Sequence, residues 1–240
     1  MYPHRIRLRG PWQCEPLARL PNESGAPLPA PFPMTMPCRW RDCGLADFAG
    51  RVRFRRRFGY PGRIDDYERV WLTFAGIDGP AGIQLNGNSL AKLDKNLRNA
   101  EFDVTGLLQG RNELVVDVEA ADDAGGLWGE VALEVRCTAY LRGTQFHPVA
   151  DGNMFRLEVS GEVVGTCERT LELYVIAGRS TVAYRTIEAT PNGQAFQILS
   201  DPFLGGSDKE WPVRVDLVNG ACTWFVVEGT CQDLRQTPSA

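Results

Sequence analysis

Three clusters in this 240-residue chain combine an aromatic ring or a tight turn with hydrogen-bonding side chains, the residue types a saccharide site needs. They are Arg39-Trp40-Arg41-Asp42, Asp78 within Gly76-Ile77-Asp78-Gly79, and Trp128 within Gly125-Gly126-Leu127-Trp128-Gly129. A flat ring stacks on the apolar face of a pyranose, and Asp, Asn or Arg beside it takes the hydroxyls. The candidate ligand-binding residues are therefore Arg39, Trp40, Asp42, Asp78 and Trp128. Two of them have other uses: Asp78 could satisfy turn amides, and Trp128 could plug a boundary between domains.

Hydrolysis finds less support. A glycosidase sets two carboxyls roughly 5–10 Å apart across a cleft. Glu130 with Glu134, and Glu113 with Asp117 and Glu119, recur instead at strand spacing, which places them on solvated outer faces. No Gly-x-Ser-x-Gly elbow occurs, and no cysteine has a histidine beside it. With only His4 and His147, and Cys38-x4-Cys43 lacking a second pair, no zinc site is expected. The chain is read as having no catalytic residue, no metal site and no cofactor. A structural calcium at Asp65-Asp66 or Asp122-Asp123 is the remaining exception.

The elements that position these residues read as short strands. Val52, Phe54 and Phe58 alternate with Arg51, Arg53, Arg55 and Arg57, a period of two with one face buried. The arginine stripe is expected to pair with acidic rows on neighbouring strands. Arg56 falls on the apolar side, which predicts a bulge or a buried ion pair there. Val70, Leu72 and Phe74 mark a second strand. Ile83 and Leu85 lead into Asn86-Gly87, a hairpin turn whose central residues need positive φ. Phe102 and Val104, then Leu114, Val116 and Val118, then Val131, Leu133 and Val135 complete this half. Upstream, Arg5-Ile6-Arg7-Leu8 reads as an edge strand. The prolines between residues 16 and 37 predict an irregular arm packed over the sandwich, with Trp12, Phe32, Met34, Met36 and Trp40 turned inward.

A strand pattern restarts after Cys137-Thr138-Ala139-Tyr140. Phe155, Leu157 and Val159 alternate, as do Leu171, Leu173 and Val175, then Phe196 and Ile198, then Val213, Val215 and Leu217, before a last strand through Trp224 to Val227. Such spacing predicts an immunoglobulin-like sandwich of about seven strands. The expected organisation is a jelly-roll domain over 1–137 with its proline-rich arm at 16–37, a sandwich over 138–232, and a flexible tail over 233–240.

The series Arg53-Phe54-Arg55-Arg56-Arg57-Phe58, Phe74 to Gly79, Leu85-Asn86-Gly87, Phe102 to Leu108, Asn112 to Val116 and Gly125 to Val131 resembles the N-terminal, galactose-binding-like domain of family 2 glycoside hydrolases, the β-galactosidase and β-glucuronidase group. The resemblance implies an all-β fold, a galactose-binding-like jelly roll followed by an immunoglobulin-like β-sandwich, with Trp211-Pro212 at a position where the family's second domain often carries an aromatic. It also implies that the family's catalytic glutamates, carried on a later barrel domain, have no counterpart in these 240 residues. Asn112-Glu113 lies on an alternating strand and is not the family's acid/base motif. A non-catalytic carbohydrate-binding or accessory role follows, with a structural or protein-interaction role, as a homo-oligomer or as partner of a separate barrel-bearing chain, as the alternative.

The net charge of −4 gives no electrostatic support for a nucleic-acid partner. No apolar run is long enough to span a membrane. Seven cysteines without regular spacing, and no secretory leader in the sequence as given, point to a cytoplasmic chain with reduced thiols. Cys222 and Cys231 could still face each other across a hairpin and form a disulfide.

Overall fold

A computed structural model of the chain describes residues 3–20, 27–123, 125–204 and 210–232. It divides into two compact units, one taking Arg5–Val135 and the other taking the residues from Arg136 onward with the first few of the chain. The fold is all-β. The described residues contain no α-helix, only single 3-10 turns such as Trp40–Asp42 and Thr105–Leu107. The expected tail over 233–240 lies outside the described residues.

The first unit is built from β1 (His4–Arg7), β2 (Trp12–Arg19), β3 (Phe32–Met34), β4 (Cys38–Arg39), β5 (Gly50–Gly59), β6 (Glu68–Ile77), β7 (Ala81–Leu85), β8 (Asn88–Leu93), β9 (Leu97–Asp103), β10 (Arg111–Ala120), β11 (Gly126–Leu127) and β12 (Val131–Cys137). Its sheets run β1-β12-β6-β9 and β3-β2-β5-β10-β7-β8, with β4 and β11 as a separate two-stranded pair. Alternation supplies the core: Val52, Phe54, Ile83, Leu114 and Val116 from the larger sheet, with Val70, Leu72, Phe74 and Leu133 from the smaller, are all buried. At the β7–β8 hairpin Asn86 has φ +52° and Gly87 φ +81°, the positive pair the turn requires.

On the wet face of β5 and β10 the arginine stripe meets carboxylates. Arg53 grips Asp117 through two bonds of 2.6 and 2.7 Å, Arg57 holds Glu113 at 3.0 Å, and Arg55 lies 3.4 Å from Glu15. The expectation at Arg56 is corrected. β5 and β10 keep unbroken register from Gly59 to Gly50, and the irregularity falls on β2 between Pro16 and Ala18, where a proline cannot donate to the ladder. Nor does Arg56 form an ion pair among the described residues; it donates to the Pro11 carbonyl at 2.9 Å.

Two further expectations change, and one alternative is set aside. Part of the proline-rich arm is strand, since β2 and β3 pair with each other at its two ends. Glu130 and Glu134 are not on a solvated face. Every residue of β12 is buried, Glu134 is 6% exposed and bonds Arg5 at 2.6 Å, and Glu130 bonds Arg5 and Arg7 at 2.8 and 2.7 Å. Finally, all seven cysteines are free. Cys222 and Cys231 sit near opposite ends of one strand, which at about 3.3 Å per residue keeps them some 30 Å apart.

The second unit holds β13 (Ala139–Asp151), β14 (Met154–Gly165), β15 (Leu171–Ala177), β16 (Ser180–Ile187), β17 (Gln194–Leu199), β18 (Glu210–Asn219) and β19 (Cys222–Gln232). These seven strands form a three-stranded sheet β13-β14-β17 and a four-stranded sheet β16-β15-β18-β19. The fourth strand pairs with the third rather than with the fifth, unlike an antibody constant domain. Trp211 anchors this core, with ring centroids 5.2 Å from Phe203 and 5.9 Å from Phe155.

Candidate ligand site at one end of the first sandwich

The backbone between β4 and β5 decides what Trp40 can do. β4 pairs with β11, setting Arg39 opposite Gly126. The 3-10 turn then begins with the Trp40 N–H donating to the Gly125 carbonyl at 3.0 Å, while the Trp40 carbonyl accepts from Cys43 and Leu45 at 3.1 and 3.0 Å. The indole is fully buried, edge-on to Phe48 at 5.6 Å. A Cβ on Gly125 or Gly126 would stand 3.2 or 3.1 Å from the ring, so the two glycines form its slot. Trp40 is thus a core ring and offers no open face for a sugar. Burial also marks the thiols of this region: it pushes Cys14 up to about 12 and raises Cys43, whose thiol donates to the Trp40 carbonyl at 3.4 Å. Asp42 is exposed and shares no bond with Asp78 or Trp128 among the described residues.

Trp128, Asp78 and Arg39 do come together. The Trp128 ring lies flat on Gly76, where an added Cβ would fall 2.2 Å from it, and Gly129 passes close enough that its own Cβ would meet the Gly76 nitrogen at 2.1 Å. Over the half-buried ring sit two guanidiniums, Arg98 at 4.3 Å and Arg39 at 5.4 Å from a ring centroid. Asp78 binds both cations: Arg39 at 2.8 Å and Arg98 at 4.0 Å. Its carboxylate does not serve the turn amides, because the Gly79 N–H donates to Asn96 Oδ1 at 2.8 Å. Main-chain bonds between Asp78 and Gly126 tie the end of β6 to the Trp128 loop.

Arg98 was not anticipated. It sits on β9 directly across from Gly76 on β6, a pairing that joins residues far apart in sequence. The missing side chain at Gly76 was the available signal, since a glycine inside a strand marks a close approach.

Beside this cluster an open cleft of about 490 Å3 is lined by Asp78, Gly79, Asn96, Glu119 and Asp122 among others. Gly79 is required at its edge: φ is +110°, and a Cβ would lie 2.1 Å from the Glu119 carbonyl. The cleft presents carboxylate and amide groups without an open ring. Among the described residues no three His, Cys, Asp or Glu side chains stand close enough to hold a metal ion. Of the acids considered for calcium, Asp65 bonds Arg63 and Asp123 pairs with Arg41. No helix of the described residues is long and apolar enough to cross a membrane.

The architecture is that of a galactose-binding-like jelly roll followed in sequence by an immunoglobulin-like sandwich. Residues 48–147 match a family model described as the glycosyl hydrolase 2 galactose-binding domain-like domain. Among solved structures, a Bifidobacterium dentium β-glucuronidase complexed with coumarin-3-O-glucuronide is similar, with TM-score 0.72, 20% identity, and coverage of 96% of this chain and 49% of that one. A Bacteroides uniformis β-glucuronidase gives TM-score 0.75 at 16% identity over 95% of this chain and 32% of its own. A glycosyl hydrolase family 2 member from Bacteroides cellulosilyticus gives 0.74 at 15%, with 95% and 36% covered. A search of curated proteins finds no match. At such identities the likeness shows the fold, and the chain spans at most half of the length of these enzymes.

Proposed function

We propose that the chain acts as a non-catalytic, saccharide-facing accessory module related to the front section of family 2 glycoside hydrolases. The cleft beside Asp78 carries this reading, because it is open, carries carboxylate and amide groups on its wall, and is of a size to receive one or two sugar rings. Asp78 itself is a positioning group here. Its Oδ2 is bound to Arg39 and its Oδ1 is buried, so hydroxyl contacts fall to Asn96, Glu119 and Asp122 on the cleft wall. Without ring stacking the expected affinity is weak, on the order of millimolar. The carboxylates that strand spacing brings together fit a general acid or base poorly, since Glu113, Asp117, Glu130 and Glu134 are held by arginines. Titrating a panel of neutral sugars and uronides by calorimetry tests the proposal. Heat that weakens with Glu119→Gln supports it, and a flat response across the panel removes it.

A second reading is favoured by the coverage of the similar enzymes: nearly all of this chain aligns with a third to a half of theirs. On that reading it works docked to a barrel-bearing polypeptide. Light scattering and co-purification distinguish the two, since a lone monomer that binds sugar fits only the first.

A further inference from the structure

A second pocket, remote from Asp78, holds a cation without a counter-charge among the described residues. It measures about 420 Å3 and opens where the edge strand β3 and its neighbour β2 meet the end of β5, with Pro11, Trp12, Phe32 and Pro33 as its apolar wall. The wall is held in place: Trp12 is 1% exposed, and its indole N–H donates to the Leu8 carbonyl at 2.6 Å. Arg56 from the core side of β5, with Arg55, Arg57 and Glu113 from its wet face, completes the lining.

Their charges do not cancel. Arg57 holds Glu113 at 3.0 Å, and Arg55 lies 3.4 Å from Glu15 and 3.9 Å from Glu113. Three positive groups against those two carboxylates leave one positive charge, which is Arg56's. Arg56 faces the core side of β5, opposite buried Leu114. Its bond is to a neutral carbonyl, that of Pro11, and its Nε is buried with no hydrogen-bond partner. Burial accordingly lowers its pKa, the direction expected of a cation that loses water and gains no anion. Desolvated charges in proteins are ordinarily paired.

We propose that this pocket is a binding site for a small aromatic monocarboxylate, its ring against Pro11, Phe32 and Pro33 and its carboxylate on the Arg56 guanidinium. A planar carboxylate matches the guanidinium fork, and a flat ring matches a wall of prolines and aromatics. The site is separate from the cleft beside Asp78, so either can fail alone.

Phenylacetate is the probe, with phenylacetamide as its neutral counterpart and inorganic sulfate as an anion without a ring. Ligand-observed NMR on the 240-residue chain should show phenylacetate binding and phenylacetamide binding about tenfold more weakly, the worth of one charge-assisted contact. Arg56→Gln should weaken phenylacetate by a similar factor, Arg56→Lys should retain part of it, and Arg63→Gln, at an exposed arginine that does not line the pocket, should change it by less than about twofold. Equal binding of acid and amide overturns the proposal. So does undiminished binding to a folded Arg56→Gln chain, or sulfate binding as well as phenylacetate. If Arg56→Gln does not fold, the comparison of acid with amide on the unaltered chain decides the matter.

Discussion

Trp40 and Trp128 lie in similar sequence settings, each flanked by charge or glycine in a loop of the same unit, yet they do opposite things. Trp40 is sealed, edge-on to Phe48, in a slot lined by Gly125 and Gly126. Trp128 lies on Gly76, half-buried, beneath two arginines that share Asp78. The difference comes from what covers the outer face of each ring. Main-chain bonds close the turn over Trp40, whereas solvent-exposed cationic side chains cover Trp128. A ring covered by backbone is core; a ring covered by exposed arginines is a surface that a competing ligand can reach.

The comparison breaks most readily at Trp40. Trp40→Ala should destabilise the first unit by about 3–5 kcal/mol, the cost of emptying a large, fully packed site. Trp128→Ala should cost roughly 1–2 kcal/mol, since half of that ring's burial is already forgone. Urea unfolding of both variants measures this, and a larger loss at Trp128 would reverse the assignment.

The thiols near the Trp40 turn sharpen the same contrast. With its pKa pushed from 9.0 up to about 12, Cys14 presents about a thousandfold less thiolate at pH 8 than an unperturbed thiol. Exposed Cys222 is the internal reference, so iodoacetamide should label Cys222 first and Cys14 far more slowly, as read by peptide mass mapping. The linkage has a definite sign. The unfolded Cys14 loses its proton near 9 while the folded one keeps it to about 12, so stability is intact below pH 9 and falls as the pH rises through that window. Cys14 labelling as fast as Cys222 would mean that this region is open to water.

Much of the frame was legible because it rests on local rules. The alternation of Val52 and Phe54 with arginines, and the Asn86-Gly87 turn, each depend on residues adjacent in sequence. β16 was harder to read, since Val182 and Ile187 are its only buried positions and they do not alternate, and its pairing with β15 is irregular near Val175 and Ile176. The site was legible in its residue types and less so in its use. Arg39, Asp78 and Trp128 converge, but the burial of Trp40 and the arrival of Arg98 depend on strand pairings that link distant segments. Likewise, Arg56 announced itself by breaking the pattern, while its lack of a carboxylate became visible only when Arg55 and Arg57 were seen to hold Glu15 and Glu113.

Gly76 tests whether Trp128 is seated as described. Gly76→Ala would drive a methyl to within 2.2 Å of the ring, which must then lift, at a cost of about 1–3 kcal/mol. Combined with Trp128→Ala, the methyl meets no ring, and the double variant should be markedly more stable than the sum of the single losses. Additive losses would show that the ring is not on Gly76.

The smallest effect belongs to Asp78, and it separates a charge-built surface from a packed one. Asp78→Asn keeps the shape but removes the charge that gathers Arg39 and Arg98 over Trp128. The carboxylate is 15% exposed and Arg39 is 37% exposed, so solvent screens the pair and the expected cost is about 1 kcal/mol. With the arginines released, Trp128 should become easier to reach, which acrylamide quenching of its fluorescence reports, while the sealed Trp40 stays unquenched. If quenching is unchanged in Asp78→Asn, the arginines are held by the ring alone, and Trp128 is as firmly covered as Trp40.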